Sequence, residues 1–181
     1  MGKLEEKKLS SKKIFTGRLL KLRVDSVKLP NGVRSTREVV EHPGAVTIIA
    51  LTEDNKLVLV RQFRTAAGAV LLELPAGVPL KGEKGEQTAR RELEEETGYR
   101  ARSVKKVFEG YASPGYSNEV IQFYLAKGLK LRQQKTDEDE LIEVDQIDLG
   151  LCLDLVRGGK IRDNKTAIGI MIAGLYAGGE W

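Results

Sequence analysis

Residues 77–99, GVPLKGEKGEQTARRELEEETGY, contain the stretch that decides the fold. Gln87 to Glu96 are mostly strong helix formers, and Gly98 stands where a left-handed C-terminal cap belongs. Side chains three and four residues apart on a helix share a face. Three glutamates therefore converge on one side: Glu92, Glu95 and Glu96. Like charges at this spacing cost about 0.2–0.5 kcal/mol per pair, so the stretch predicts an acidic helix face compensated by a divalent cation.

Glutamate-rich helix faces are often merely solvated, and the spacing of the other residues decides between the two interpretations. Counted from Gly77, the chain fits the pattern G-x5-E-x7-R-E-U-x-E-E-x-G-U at every fixed position. The matching residues are Gly77, Glu83, Arg91, Glu92, Leu93, Glu95, Glu96, Gly98 and Tyr99. This pattern is the signature of the Nudix hydrolases, and the chain resembles that family from about residue 44 to its end.

The resemblance implies roles for the residues of the signature. Glu92, Glu95 and Glu96 would supply metal ligands, Glu95 would also belong to the catalytic residues, and the carbonyl of Ala76 would be a further ligand. The family instead uses the positions of Glu83 and Arg91 as a structural ion pair that braces the loop against the helix. The implied fold is α/β, an α/β/α sandwich with a mixed sheet, and it agrees with the alternation of strand and helix patterns along the chain.

Composition limits the kind of protein. With 181 residues, 41% of them hydrophobic, we expect one soluble domain with an appended arm. A single histidine (His42) and a single cysteine (Cys152) argue against zinc sites and disulfides, so oxygen atoms would hold any metal. Mg²⁺ or Mn²⁺ fits such ligands, and diphosphate sites of this kind use two or more ions. We expect Cys152 to be buried.

Charge and hydropathy argue against several partners and locations. No apolar run approaches the roughly 20 residues that a membrane span needs, and MGKLEEKKLSSKK lacks the apolar core of a signal peptide. We therefore expect a cytoplasmic protein with no membrane partner. The net charge of +4 suits phosphorylated small molecules but is too modest to indicate nucleic acid.

Residues 1–42 predict an N-terminal antiparallel β arm, and residues 43–181 the hydrolase domain. Pro30-Asn31-Gly32 marks a turn between two strand patterns, which form a hairpin with too little apolar surface to stand alone. The arm could pack on its own domain or pair with a second subunit. The resemblance to the ADP-ribose pyrophosphatase branch of the family favours a homodimer whose arm covers the partner's substrate, with Arg37 and Glu38 as substrate contacts.

Further substrate contacts follow from the same branch. Arg64, at the end of the strand pattern KLVLVRQFR, would contact phosphate or ribose, and Glu73 in LLELPAG would make a polar contact. Pro114 lies sixteen residues beyond Gly98, an offset that resembles a substrate marker of ADP-ribose pyrophosphatases; Ser-Pro-Gly is also ordinary turn chemistry.

The polar segment 133–140 predicts a loop before the strand pattern LIEV. Related pyrophosphatases place a catalytic base on this loop, and Glu140 is the best match, with Glu138 the second. Two helices should follow, one in DLGLCLDLVRGG and one in NKTAIGIMIAGLYA. We expect Asp163 or Asn164 to cap the second helix, whose apolar stripe would contain Ile168, Met171, Ile172 and Leu175.

Three functions remain open. The first is hydrolysis of the small-molecule nucleotide ADP-ribose to AMP and ribose 5-phosphate. The second is Nudix hydrolysis of a dinucleotide, a sugar nucleotide or an oxidised nucleoside triphosphate, because the signature identifies the diphosphate and not its substituents. The third is a non-catalytic nucleotide-binding regulator, which the intact ligand positions disfavour.

Overall fold

The computed structural model describes residues 3–135 and 141–179. The strands are β1 (Lys7–Thr16), β2 (Lys21–Lys28), β3 (Arg34–Glu41), β4 (Ala45–Leu51), β5 (Lys56–Arg64), β6 (Ala69–Glu73), β7 (Ala76–Gly77), β8 (Tyr99–Tyr111), β9 (Val120–Leu131) and β10 (Ile142–Asp148). The helices are α1 (Gly85–Thr97), α2 (Leu149–Arg157) and α3 (Asn164–Ala177). None of these helices is long and apolar enough to cross a membrane.

The first compact unit contains Met1–Gly44 and Gly110–Val120. Its sheet is antiparallel with the order β1-β2-β3, so the arm has one strand more than the predicted hairpin. The extra strand, β1, is exposed along its whole length. Its lysine-rich sequence lacks the clear alternation of apolar and polar residues that identifies a strand. Pairing with β2 therefore creates this strand.

The second unit contains Ala45–Glu109 and Ile121–Trp181. Its sheet has the order β10-β5-β4-β9-β8, with β6 paired to β5 and β7 paired to β4. Strands β4 and β9 are parallel, whereas β4–β5, β5–β10 and β5–β6 are antiparallel. The sheet is therefore mixed, as predicted.

Alternate residues of β4 face two separate hydrophobic clusters. Val46, Ile48 and Ala50 pack with Ala89 and Leu93 of α1. Ile49 and Leu51, on the opposite face, cluster with Cys152 of α2 and Ile170 of α3. Helices therefore cover both faces of the sheet, which confirms the predicted α/β/α sandwich, and Cys152 is fully buried as expected.

Helix α1 ends where the sequence places its stop. Gly98 has φ 73°, and its N–H donates to the Glu94 carbonyl oxygen. At the other end, the Lys84 N–H donates to Gln87 Oε1 over 2.9 Å. Both ends of the acidic helix are thus fixed by local contacts.

Helix α3 buries only part of the predicted stripe: Ile172 is buried and Ile168 packs against the core. Asp163 is its N-cap, as expected, and accepts from the Thr166 N–H. Met171 and Leu175, however, are 47% and 39% exposed. The buried residues are Thr166, Gly169, Ile170, Ile172 and Ala173. The predicted stripe counted only large apolar residues, so it omitted the small and polar residues that this helix buries. One of them, Gly169, packs closely against Leu74, where a larger side chain would not fit.

Candidate active site

Arg91 lies at the centre of the acidic face of α1. Its Nε and Nη2 each lie 3.0 Å from a carboxylate oxygen of Glu83, which is the pair that the signature implies. Its Nη1 donates to Glu92 Oε1 over 2.7 Å and to Glu95 Oε2 over 2.9 Å. A further hydrogen bond, from Nη2 to the Val78 carbonyl oxygen, joins the helix to the preceding loop. One guanidinium therefore organises three of the four signature glutamates.

Glu83 is held in its ionised form. The hydrogen bonds from Arg91 lower the pKa of this carboxyl to about 2, and bonds from the Leu80 N–H and the Thr88 hydroxyl assist. Its side chain is only 14% exposed. Such a carboxylate, with both oxygens engaged inside the protein, braces the loop and is not placed to bind a ligand.

The other signature glutamates border the short strand β7. Glu96 is 5% exposed, and its Oε2 accepts the Ala76 N–H over 3.1 Å. Glu92 lies directly against Gly77, where an added Cβ would stand 1.9 Å from Glu92 Oε1. Glu95 is the most exposed of the three, at 43%. The helix and the Ala76–Gly77 backbone thus enclose two carboxylates, with the third at the rim.

Within the described residues, no three carboxylate, histidine or cysteine side chains form a ready-made metal centre. Glu92 and Glu95 are instead each paired with Arg91. The residues still fit a divalent cation, because all the side-chain donors are hard oxygen atoms and Gly77 leaves room for the Glu92 carboxylate. A cation bound there would relieve the excess of negative charge around a single arginine.

The C-terminal end of α1 is covered by residues 132–135. The Lys135 N–H donates to the Glu95 carbonyl oxygen over 3.1 Å, and Gln134 Nε2 donates to the Glu96 carbonyl oxygen over 2.6 Å. Residues 132–135, which precede the predicted base in the sequence, therefore contact this end of α1. Glu138 and Glu140 themselves lie outside the described residues.

Arg64 and Glu73, predicted as separate substrate contacts, form an ion pair. Arg64 Nε and Nη2 lie 2.8 and 2.9 Å from the two oxygens of Glu73. Glu73 is 1% exposed, whereas the Arg64 side chain is 40% exposed. Arg64 therefore exposes part of its side chain, and Glu73 lies buried beside it. Both remain predictions as substrate contacts.

Sequence reasoning missed Lys165, which also contacts Glu73. Its Nζ lies 2.5 Å from Glu73 Oε2 and 2.9 Å from Asp163 Oδ2. Burial alone would raise the pKa of Glu73, but Arg64 and Lys165 outweigh it and hold the pKa below its ordinary value. The one available signal was a lysine in the first turn of a helix, where its charge opposes the helix dipole.

The remaining predicted contacts lie in the first unit. Arg37, on β3, donates to Ser35 Oγ over 3.0 Å and is paired with Glu6. Glu38 follows it on the same strand and therefore points to the opposite face. Pro114 is exposed in the turn that the Ser113 carbonyl oxygen closes with the Tyr116 N–H. These three residues remain predictions as substrate contacts.

Comparison with known proteins agrees with the signature and the fold. The model of the NUDIX domain matches residues 41–156, and that of the nucleoside diphosphate sugar hydrolase N-terminal domain matches residues 6–40. The chain is 44% identical over 172 residues to an ADP-ribose pyrophosphatase of Bacillus subtilis (strain 168), covering 94% of this chain and 93% of the relative. It is also 44% identical over 173 residues to a methanol dehydrogenase activator of Bacillus methanolicus, covering 94% of each chain. A solved structure described as an ADP compounds hydrolase superposes with a TM-score of 0.85 over the whole of both chains, at 22% identity.

The sandwich fold and the glutamate-bearing helix define a diphosphate-hydrolase class of protein. The chain belongs to the Nudix family. Members of this family generally use divalent metal ions.

Proposed function

We propose that the chain hydrolyses the diphosphate of ADP-ribose to AMP and ribose 5-phosphate, with Mg²⁺ or Mn²⁺ as cofactor. The observation that carries the proposal is the pairing of the intact glutamate helix with Ala76–Gly77. The substrate follows from the pyrophosphatase relative, which aligns with nearly the whole chain at 44% identity.

Two or more ions would be held by Glu92, Glu95, Glu96 and the Ala76 carbonyl oxygen. Bound metal neutralises diphosphate oxygens and lowers the pKa of a water. Arg91 keeps the helix glutamates in place, and Arg64 presents its exposed edge to a phosphate or ribose oxygen. Glu140, or secondarily Glu138, would accept the proton of the attacking water, with Glu95 near the rim as a further catalytic group.

The arm, residues 1–42, would make the protein a homodimer, with residues 43–181 as the hydrolase domain. The exposed apolar side chains of β1 support this assembly. The single, buried cysteine fits a reducing cytoplasm.

A substrate panel with product identification tests the function. In the presence of Mg²⁺, we expect ADP-ribose to be hydrolysed at least about tenfold more efficiently than any nucleoside triphosphate, which is about 1.4 kcal/mol of transition-state stabilisation. Glu96→Gln should abolish most of the activity and keep the melting temperature, because it removes one charge from a crowded acidic face. A triphosphate or sugar nucleotide that outcompetes ADP-ribose would contradict the substrate assignment and leave the metal chemistry intact.

A second function rests on the relative from Bacillus methanolicus, which is as similar as the pyrophosphatase. The chain would then activate an alcohol dehydrogenase through the same Nudix site. Adding the chain to a methanol dehydrogenase tests the activation, and Glu96→Gln tests whether the activation needs the Nudix site. An acceleration by the wild type that the variant fails to produce would support activation.

A further inference from the structure

Lys165 occupies an unfavourable position for a cation. It lies in the first turn of α3, where the helix dipole is positive, and its side chain is only 14% exposed. Burying an ammonium group costs free energy unless the group is paired. A lysine buried at this position therefore needs specific partners.

Two carboxylates supply the pairing. Lys165 Nζ lies 2.5 Å from Glu73 Oε2 and 2.9 Å from Asp163 Oδ2. The more buried partner, Glu73, is shared, because its two oxygens also receive Nε and Nη2 of Arg64. A single carboxylate thus links Lys165, inside the protein, to Arg64, at its surface.

The hydrogen bonds to Glu73 determine which edge of the Arg64 guanidinium can contact a ligand. A fork of two parallel hydrogen bonds fixes the plane of a guanidinium as well as its position. With Nε and Nη2 turned inward, Nη1 makes no hydrogen bond to any residue within 3–135 or 141–179. The edge of Arg64 that carries Nη1 can therefore donate to a ligand oxygen.

The start of α3 is itself fixed against the segment that leads to Ala76. Thr166 Oγ1 accepts the Leu74 N–H over 2.8 Å and donates to Asp163 Oδ2 over 2.6 Å. Gly169 allows close packing on Leu74, since a Cβ there would lie 2.2 Å from Leu74 Cδ1. The position of Lys165 is thus set by the same strand end that carries Glu73.

We propose that Lys165 is a positioning residue for diphosphate hydrolysis, acting through Glu73 to hold the guanidinium of Arg64 toward the substrate. The inference rests on the proposed function and adds a residue that touches no ligand itself. Without Lys165, Glu73 loses one of its two cations and is free to turn, and Arg64 turns with it.

A double-mutant cycle with Arg64→Ala and Lys165→Met tests this dependence. In the wild-type background, we expect Lys165→Met to lower kcat/KM for ADP-ribose about tenfold, and to change the same kinetic constant, kcat or KM, as Arg64→Ala does. In the Arg64→Ala background, Lys165→Met should change kcat/KM by less than about twofold, because the group it positions is gone. A residue that merely stabilises the fold would lower the melting temperature and leave this coupling at zero.

Lys160→Met is the matched control, because Lys160 is exposed and its side chain contacts no carboxylate among the described residues. It should leave kcat/KM unchanged. If Lys165→Met fails to fold, Lys165→Gln, which retains a donor for Glu73 but no charge, takes its place in the cycle. Equal effects of the lysine substitution with and without Arg64 would overturn the proposal.

Calorimetric binding of the methylene analogue of ADP-ribose separates this inference from the proposed function. If the wild type neither binds nor hydrolyses ADP-ribose compounds, the substrate assignment fails. The cycle is then measured on whichever diphosphate of the panel the wild type hydrolyses. Coupling between Lys165 and Arg64 on that substrate would support the positioning role, and its absence would overturn it.

Discussion

At the scale of single residues, the four signature glutamates differ in their surroundings. Glu83 gives both oxygens to Arg91 and is 14% exposed, so it is committed to the structure. Glu95 is 43% exposed and shares only one donor of the same arginine. Arg91 can therefore release Glu95 to a cation and still keep its bond to Glu83. The paired contact of both its oxygens with Arg91 marks Glu83 as the structural carboxylate; burial does not, because Glu96 is only 5% exposed.

The ionisation of Glu83 predicts an acid-dependent loss of stability. Its pKa is lowered from 4.5 to about 2 in the folded protein, so the unfolded chain takes up the proton first as the pH falls. The contribution of Glu83 is complete above about pH 4.5 and is lost as the pH falls toward about 2. We expect urea unfolding to show that Glu83→Gln is less stable than the wild type at neutral pH. The difference should shrink across this window, and a constant difference would contradict the pairing.

Gly77→Ala tests the contact between β7 and helix α1. The added Cβ would stand 1.9 Å from Glu92 Oε1, at the end of a flexible side chain that can move away. We therefore expect a small change in melting temperature, a lowered apparent affinity for Mg²⁺ and partial recovery of activity at high Mg²⁺. Unchanged magnesium dependence would show that Glu92 has no role in binding the metal.

At the scale of elements, residues 132–135 secure the C-terminal end of α1. Besides the bonds of Gln134 and Lys135, the Arg132 N–H donates to the Gly98 carbonyl oxygen over 2.6 Å. These contacts satisfy carbonyl groups that a helix end would otherwise leave unpaired. The same residues, 132–135, precede Glu138 and Glu140 in the sequence, so the described part of the chain before the proposed base is fixed to α1.

Gly98→Ala should disturb this anchor. The residue has φ 73°, and an added Cβ would lie 2.9 Å from the Arg132 carbonyl oxygen and 3.0 Å from the Gln134 nitrogen, both backbone atoms. Gly82→Ala is the matched control, with φ 84° and nothing within 4 Å of the added Cβ. Positive φ alone costs about 1–2 kcal/mol, so both variants lose this much in urea unfolding. Gly98→Ala should lose more stability and also lower kcat; equal losses would argue against the anchor.

The sequence predicted the features that are determined by residues close together in the chain. Helix α1, its stop at Gly98 and the Glu83–Arg91 spacing rest on residues within about four helical turns of one another, so pattern and propensity sufficed. The buried strands β4 and β5 were visible as continuous apolar runs. Strand β1 and the lysine behind Arg64 were not visible, because each depends on a partner that is distant in the chain. Glu73 and Lys165 are 92 residues apart.

At the scale of the whole molecule, charge is distributed unevenly along the chain. Residues 1–42 contain eleven basic and five acidic side chains, a formal charge of +6, while the complete chain carries +4. Residues 43–181, which include the acidic helix α1, therefore carry a formal charge of −2. The basic lysines of β1 discourage uncontrolled edge pairing, but the same strand also exposes apolar side chains. We expect this combination to favour one specific partner, a second copy of the chain.

Strand β1 carries exposed apolar side chains that would contact that partner. Ile14 and Leu9 on β1 are 51% and 42% exposed, and apolar side chains on an edge strand favour burial against another surface. We expect the full-length protein to be a dimer in light scattering and Ile14→Asp to weaken it, because association would bury the new charge. Ser11→Asp places the same charge at an exposed polar position of β1 and should leave the dimer intact. A monomeric wild type, or equal dissociation by both variants, would contradict a role of β1 in dimerisation. The hydrolase site would then function within one chain.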